Sequence, residues 1–226
     1  MKPGRLSRRN GVAVLLGVLP SVLAVVLGLV ACVRSVDGVP TAAPAAATPE
    51  SAADLEALLV TAVPSGLPRL SDDRLRPPAG EKGVEDVARY SADPHRETKV
   101  LRNYGYRYGW ERFWGSGGSG PVTGVFVDQF ERRSGAAAYA ADLAHNDAAH
   151  FRGAVRVNPP DLPGGCRLLT VEDPDPDTRL AGPAALAWCG HGAFSVSVTA
   201  VAESVEAAQE EVRAVLEEQL DRLPPH

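Results

Sequence analysis

Lysine is nearly missing from this chain. Lys2, Lys82 and Lys99 are the whole supply, and arginine carries the rest of the positive charge. The formal net charge is −5, and the chain is more acidic still once Lys2, Arg5, Arg8 and Arg9 at its start are set apart. It therefore lacks the basic footprint that nucleic acid demands, and anionic lipid heads would not hold it by charge. The compact catalytic signatures are absent too: there is no HExxH, no GxSxG and no P-loop. Residues 115–120, GSGGSG, are glycine-rich but offer no lysine to cradle a phosphate. No internal repeat stands out.

Against these absences stands one long apolar run, Gly11 to Cys32. It follows a basic, acid-free stretch, Met1 to Asn10, which is the pattern of an export signal. Two positions after Arg8-Arg9 stands Gly11, where a twin-arginine signal wants a large apolar residue. The run closes on Leu29-Val30-Ala31-Cys32, which has the form of a bacterial lipobox. There the cysteine is lipidated and becomes the mature N-terminus. The alternative is a retained transmembrane anchor, because roughly 20 uncharged residues span about 30 Å of hydrocarbon and a signal core is usually only about 7–15 long. Both readings put the basic end inside and everything after Cys32 outside. The expected layout is a signal peptide or anchor over 1–31, an Ala/Pro-rich tether over 32–50 and one extracytoplasmic domain over 51–226. The tether shows no apolar periodicity and cannot bury enough surface to offset its ordering entropy.

With Cys32 acylated, Cys166 and Cys189 remain as an even pair in an oxidising compartment, and a disulfide is expected. It would close a loop of about 23 residues, worth about 3 kcal/mol in the chain-entropy picture.

Along the domain, capping residues and breakers predict short helices from Ser51 to Pro64, over 84–90 and over 96–103. A strand over 104–114 and its return over 122–130 form a hairpin around the glycine-rich turn. Ser134 is expected to cap a helix running to His150, and Val155 and Val157 to form a short extended piece. Strands follow at 166–172 and 184–189. From Phe194 to Ala200 apolar residues alternate with Ser195, Ser197 and Thr199, as in a half-buried strand. Ser204 opens the last helix, and Pro224 stops it. The sum is an α+β domain: an antiparallel sheet of about five strands, short N-terminal helices, and two long helices on one face.

Little in this pattern points to chemistry. Asp173-Pro-Asp-Pro-Asp alternates acids like a calcium loop, but Thr178 and Ala184 occupy the positions where an EF-hand needs Gly and Glu. His145 and His150 are five apart, not the four that stacks two ligands on a helix. No metal site, cofactor or catalytic residue is therefore predicted. A thiolate at Cys166 beside Arg167 would be nucleophilic, but export and the presence of Cys189 favour a bridge. The best binding candidates are Tyr104, Tyr106, Tyr108 and Trp110, expected on one face of their strand, where aromatic faces with polar tips suit sugars, peptides or acyl chains. The competing reading makes that face ordinary core.

The order of leader, lipobox, Ala/Pro tether and compact domain resembles uncharacterised lipoproteins of actinobacteria. The contact points are Leu29–Cys32, the strand from Gly105-Tyr106 to Trp114, and Val125–Phe130 leading into Ser134-Gly-Ala-Ala-Ala-Tyr. From Tyr104 to Leu223 the pattern is also similar to the PsbP/Mog1 type of α/β sandwich. The resemblance implies a membrane-anchored, non-catalytic binding or interaction domain at the cell envelope, with a lipid, glycan or envelope protein as ligand. The alternative is an envelope enzyme acting on cell-wall or lipid substrates. An aromatic pocket without paired titratable groups would favour binding; a cleft joining a carboxylate to His191 or His145 would favour the enzyme.

Overall fold

Local side-chain chemistry sets most helix boundaries. In a computed structural model that describes residues 47–224, apart from Ser119 and Arg179, helix α1 (Ala52–Ala57) starts at Ser51. The Ser51 hydroxyl accepts from the Asp54 amide, and the Asp54 carboxylate accepts from the Ser51 amide, a reciprocal capping box. Helix α2 covers Val84–Ala88. Asp93 caps α3 (Pro94–Tyr104), whose first residue is proline, and Gly105 ends it at φ 78°, where a side chain would be strained. Ser204 caps α5 (Val205–Arg222) through the Ala207 amide. Helix α1 stops at Ala57, well short of the expected Pro64, and α4 (Arg133–His150) departs from expectation at its cap. Ser134 does not cap it, because the Arg132 carbonyl already accepts from Gly135 and Ala136, placing Ser134 inside the first turn.

The strands form one antiparallel sheet of seven, not five. They are β1 (Gly80–Lys82), β2 (Tyr106–Gly115), β3 (Val122–Phe130), β4 (Arg156–Val157), β5 (Cys166–Val171), β6 (Ala184–His191) and β7 (Phe194–Val201). Their order is β1-β2-β3-β7-β6-β5-β4. The two edge strands are three and two residues long, too short to show a period-2 pattern, which is why β1 escapes sequence reading. The chain runs β1 to β3 toward the centre, crosses on α4 to the far edge, and meanders back through β4–β7.

That crossover also corrects the expected layering. The two long helices cover opposite faces. Ala208, Val212, Val215 and Leu216 of α5 pack with Ala185, Ala187 and Cys189 of β6 and with Val196 and Val198 of β7. Ala140 and Ala144 of α4 pack with Leu186 and Trp188, the alternate residues of β6. A strand buried on both sides reads as a continuous apolar run, and AALAWC is one. The serine-bearing side of β7 is covered as well: Ser195 and Ser197 are buried.

The α5 face carries the N-terminal segment. Gln219 donates to the Leu58 carbonyl and accepts from the Val60 amide. Buried Glu211 accepts from the Ser65 amide and hydroxyl and from Thr123. Pro49 is buried, and its carbonyl accepts from both Tyr108 and Gln129. Cys166 and Cys189 lie directly opposite on β5 and β6, Cα atoms 4.2 Å apart, and are joined in a disulfide. The apolar run, Cys32 and all of the predicted tether before Ala47 lie outside the described residues. Among the described residues no helix is long and apolar enough to cross a membrane.

Candidate functional site

The four aromatic candidates do not share a surface. Tyr104 is the last residue of α3, and its hydroxyl donates to Asp142 of α4; that bond pushes the phenol up to about 12. The register slips between Tyr106 and Tyr108, and this β-bulge sends the two side chains to opposite faces. Tyr108 and Trp110 pack on the α5 face, where Tyr108 donates to Pro49 and Arg107 lies 5.3 Å from its ring. Tyr106 instead joins Phe130 and Tyr139 beneath α4.

What the bulge assembles there is a buried polar cluster. The Tyr106 hydroxyl lies 3.0 Å from Asp128 Oδ1 and 3.1 Å from the Lys82 carbonyl. Lys82 Nζ is 3.3 Å from Glu111 Oε2, and it also donates to the Pro78 carbonyl. Tyr90 donates to the same Glu111 oxygen at 3.0 Å. Lys82, Glu111 and Asp128 are each under 9 % exposed. Burial raises Glu111, which Lys82 opposes. Burial also raises Asp128 to about 7, because it has no cation of its own and the Tyr106 hydrogen bond offsets only part of the desolvation. Gly109 permits this packing: a Cβ there would sit 2.2 Å from Asp128 Oδ1 and 2.7 Å from the Tyr106 hydroxyl.

Beside the cluster lies a cavity of about 280 Å³ between α4 and the sheet. The register explains why the space is open. Glu111, Phe126, Ser197 and Trp188 form one cross-strand row of β2, β3, β7 and β6. The flanking rows place Gly109, Asp128, Ser195 and Gly190 on one side, and Phe113, Gly124, Thr199 and Leu186 on the other. Glycine, serine and threonine hold the middle of the floor, where larger residues would meet the helix. Tyr139, Leu143 and Asp147, four apart along α4, form the roof. Among the described residues Ser197 Oγ has no hydrogen-bond partner. Burial raises Asp147 to about 6, with His150 opposing. A second hollow of about 360 Å³ shares Tyr90, Glu111 and Phe126 with the first.

No histidine lines this cavity. His145 borders a separate hollow between α4 and the sheet edge at Val155, Val157 and Arg167, and His191 ends β6. The acidic loop folds on itself, Asp175 accepting from Asp177 and Thr178. Among the described residues no three groups of metal-binding type converge.

Sequence reading missed Asp128, Glu111, Ser197 and Asp147 as site residues, though a signal was present. Asp128 sits between Phe126 and Phe130 at the period of one strand face, and Glu111 interrupts an otherwise aromatic strand. An acid in register with core residues is expensive to bury and for that reason marks a site worth inspecting.

No family model matches the chain, and no curated protein does. Among solved structures it is similar to the extracellular domain of PknH from Mycobacterium tuberculosis, at 14% identity over 77% of this chain and 98% of that one, with a TM-score of 0.49. A match that slight supports no functional statement.

Proposed function

We propose that this is a non-catalytic binding domain held on the outer face of the membrane, and that its ligand enters the cavity beneath α4. The observation that carries the reading is the cavity itself: aromatic walls, Asp128 at the floor and a buried Ser197 hydroxyl without a partner. Concave, mainly apolar space with a few convergent polar groups is the usual form of a small-ligand site. The Cys166–Cys189 bridge fits an oxidising compartment, and the leader supplies export and attachment, through lipidated Cys32 or a retained helix, with the Ala/Pro-rich segment ahead of the buried Pro49 as spacer.

An envelope enzyme remains the second reading, on one observation. Asp128 held near pH 7 has the value suited to general acid–base work. Its Tyr106 partner and the Glu111–Lys82 pair account for their own contacts, however, and no nucleophile–base pair faces the cavity.

Native mass spectrometry of the full chain extracted from its own membrane tests the binding reading. A co-purified small molecule is expected, and Ser197→Phe, which fills the floor of the cavity, should remove it. An adduct that persists unchanged in the folded Ser197→Phe protein places the site elsewhere. Release of a chemically altered product during incubation would favour the enzyme.

A further inference from the structure

Resting on that reading, we infer that the ligand of the α4 cavity is a small organic cation: an ammonium group on an apolar body.

The charge of the lining points one way. Glu111, Asp128 and Asp147 face the space, and no lysine, arginine or histidine does. Lys82 neutralises Glu111 from behind. Asp128 and Asp147 are thus left without a cation, apart from His150 on the outer side of Asp147. An anionic ligand would add to this repulsion. A neutral one would leave burial to push both carboxyls toward their protonated forms, whereas an ammonium group beside them would compensate the ionised form of each.

The walls specify the kind of cation. Phe126, Tyr139 and Trp188 border the same space with Tyr90 at its rim, and aromatic faces attract an ammonium through their quadrupole while also covering alkyl groups. The oxygens that line the space are spread around it, and among the described residues no three groups of metal-binding type converge, so its shape suits an organic cation better than a bare ion. Ser197 Oγ, buried and without a partner, supplies an acceptor for an N–H or a hydroxyl of the guest. The volume of about 280 Å³ equals that of roughly nine waters, which suits a guest with few non-hydrogen atoms.

Calorimetric titration of the full chain in maltoside micelles tests this with four probes: choline, n-butylammonium, 3,3-dimethylbutan-1-ol (the neutral isostere of choline) and butyrate. Choline or butylammonium should bind, the alcohol at least tenfold more weakly, and butyrate not measurably. Asp128→Asn should weaken the better cation at least tenfold, and Asp147→Asn several-fold. Equal binding of choline and its neutral isostere, tighter binding of butyrate, or unchanged affinity in both Asp variants overturns the inference. So does the absence of cation binding at 20 mM. If alcohol or butyrate binding disappears in Ser197→Phe, the cavity stands as a site and only its charge preference fails. Binding of every probe that survives Ser197→Phe removes both readings.

Discussion

Asp128 shows what a single residue can contribute. Its carboxyl is faced by Tyr106 and Glu111 from β2, by Tyr139 from α4 and by Lys82 of β1 beyond Glu111, and burial holds it near 7 against an ordinary 3.8. An acid raised in the folded state binds its proton more tightly there than in the unfolded chain. Its stabilising contribution is therefore complete below the unfolded value and is lost as pH rises from about 4 to about 7. Asp128→Asn keeps the shape and the acceptor for Tyr106 but cannot ionise. It should be more stable than the parent by about 1–3 kcal/mol at pH 8, below the full linkage of a shift this size, with the gap markedly smaller at pH 5. Urea unfolding at both pH values checks this; a parent that gains on the variant at pH 8 refutes it. Gly109 is the complementary case. Gly109→Ala drives a methyl into Asp128 Oδ1, and it should cost about 1–3 kcal/mol as overpacking. Gly164→Ala, with open space around its Cβ and no left-handed backbone, should cost almost nothing in the same assay.

Among the elements, β5 and β6 combine a covalent and a packed connection. Their disulfide faces α5, next to Leu168 and Ala187. Replacing both cysteines with alanine should lower stability by about 2–5 kcal/mol while leaving membrane attachment intact. Urea unfolding and membrane fractionation report on the two halves of that expectation, and non-reducing peptide mapping on the bridge itself; two alkylatable thiols in the parent would refute it. Helix α4 plays a different part. Its Ala137 lies against Gly190 so closely that a Cβ there would come within 3.0 Å of the Ala137 Cα. Nearby, where the floor is Ser197 and Thr199, the same helix roofs the cavity instead. One element is thus tightly packed at one end and spans open space at the other.

On the proposed reading, the location of the whole molecule rests on the apolar run ending at Cys32, outside the described residues. If Cys32 carries the lipid, Cys32→Ala should abolish acyl labelling and leave an uncleaved precursor in the membrane. Labelling that persists in the variant, or is absent from the parent, favours the retained helix. The domain is expected to fold alike in both cases, since among the described residues its core clusters are built from residues after Pro49.

Much of this architecture is local and was therefore legible in the chain. Ser51, Asp93, Gly105 and Ser204 mark helix ends by hydrogen bonds to residues within a turn. The hairpin from Tyr106 to Phe130 and the β7 alternation follow from the period of two, and the Cys166–Cys189 pair from their number and spacing. The site was not legible, because every determinant of it is long-range. A one-residue bulge decided which tyrosine turned toward Asp128, reversing the face that strict alternation assigns. The crossover on α4 put the two long helices on opposite sides, so the serines of β7, which alternation reads as facing water, became the floor of a cavity. Periodicity tells which residues share a face of a strand; only the tertiary arrangement decides what covers that face, and here a covered face held too many small residues to be filled.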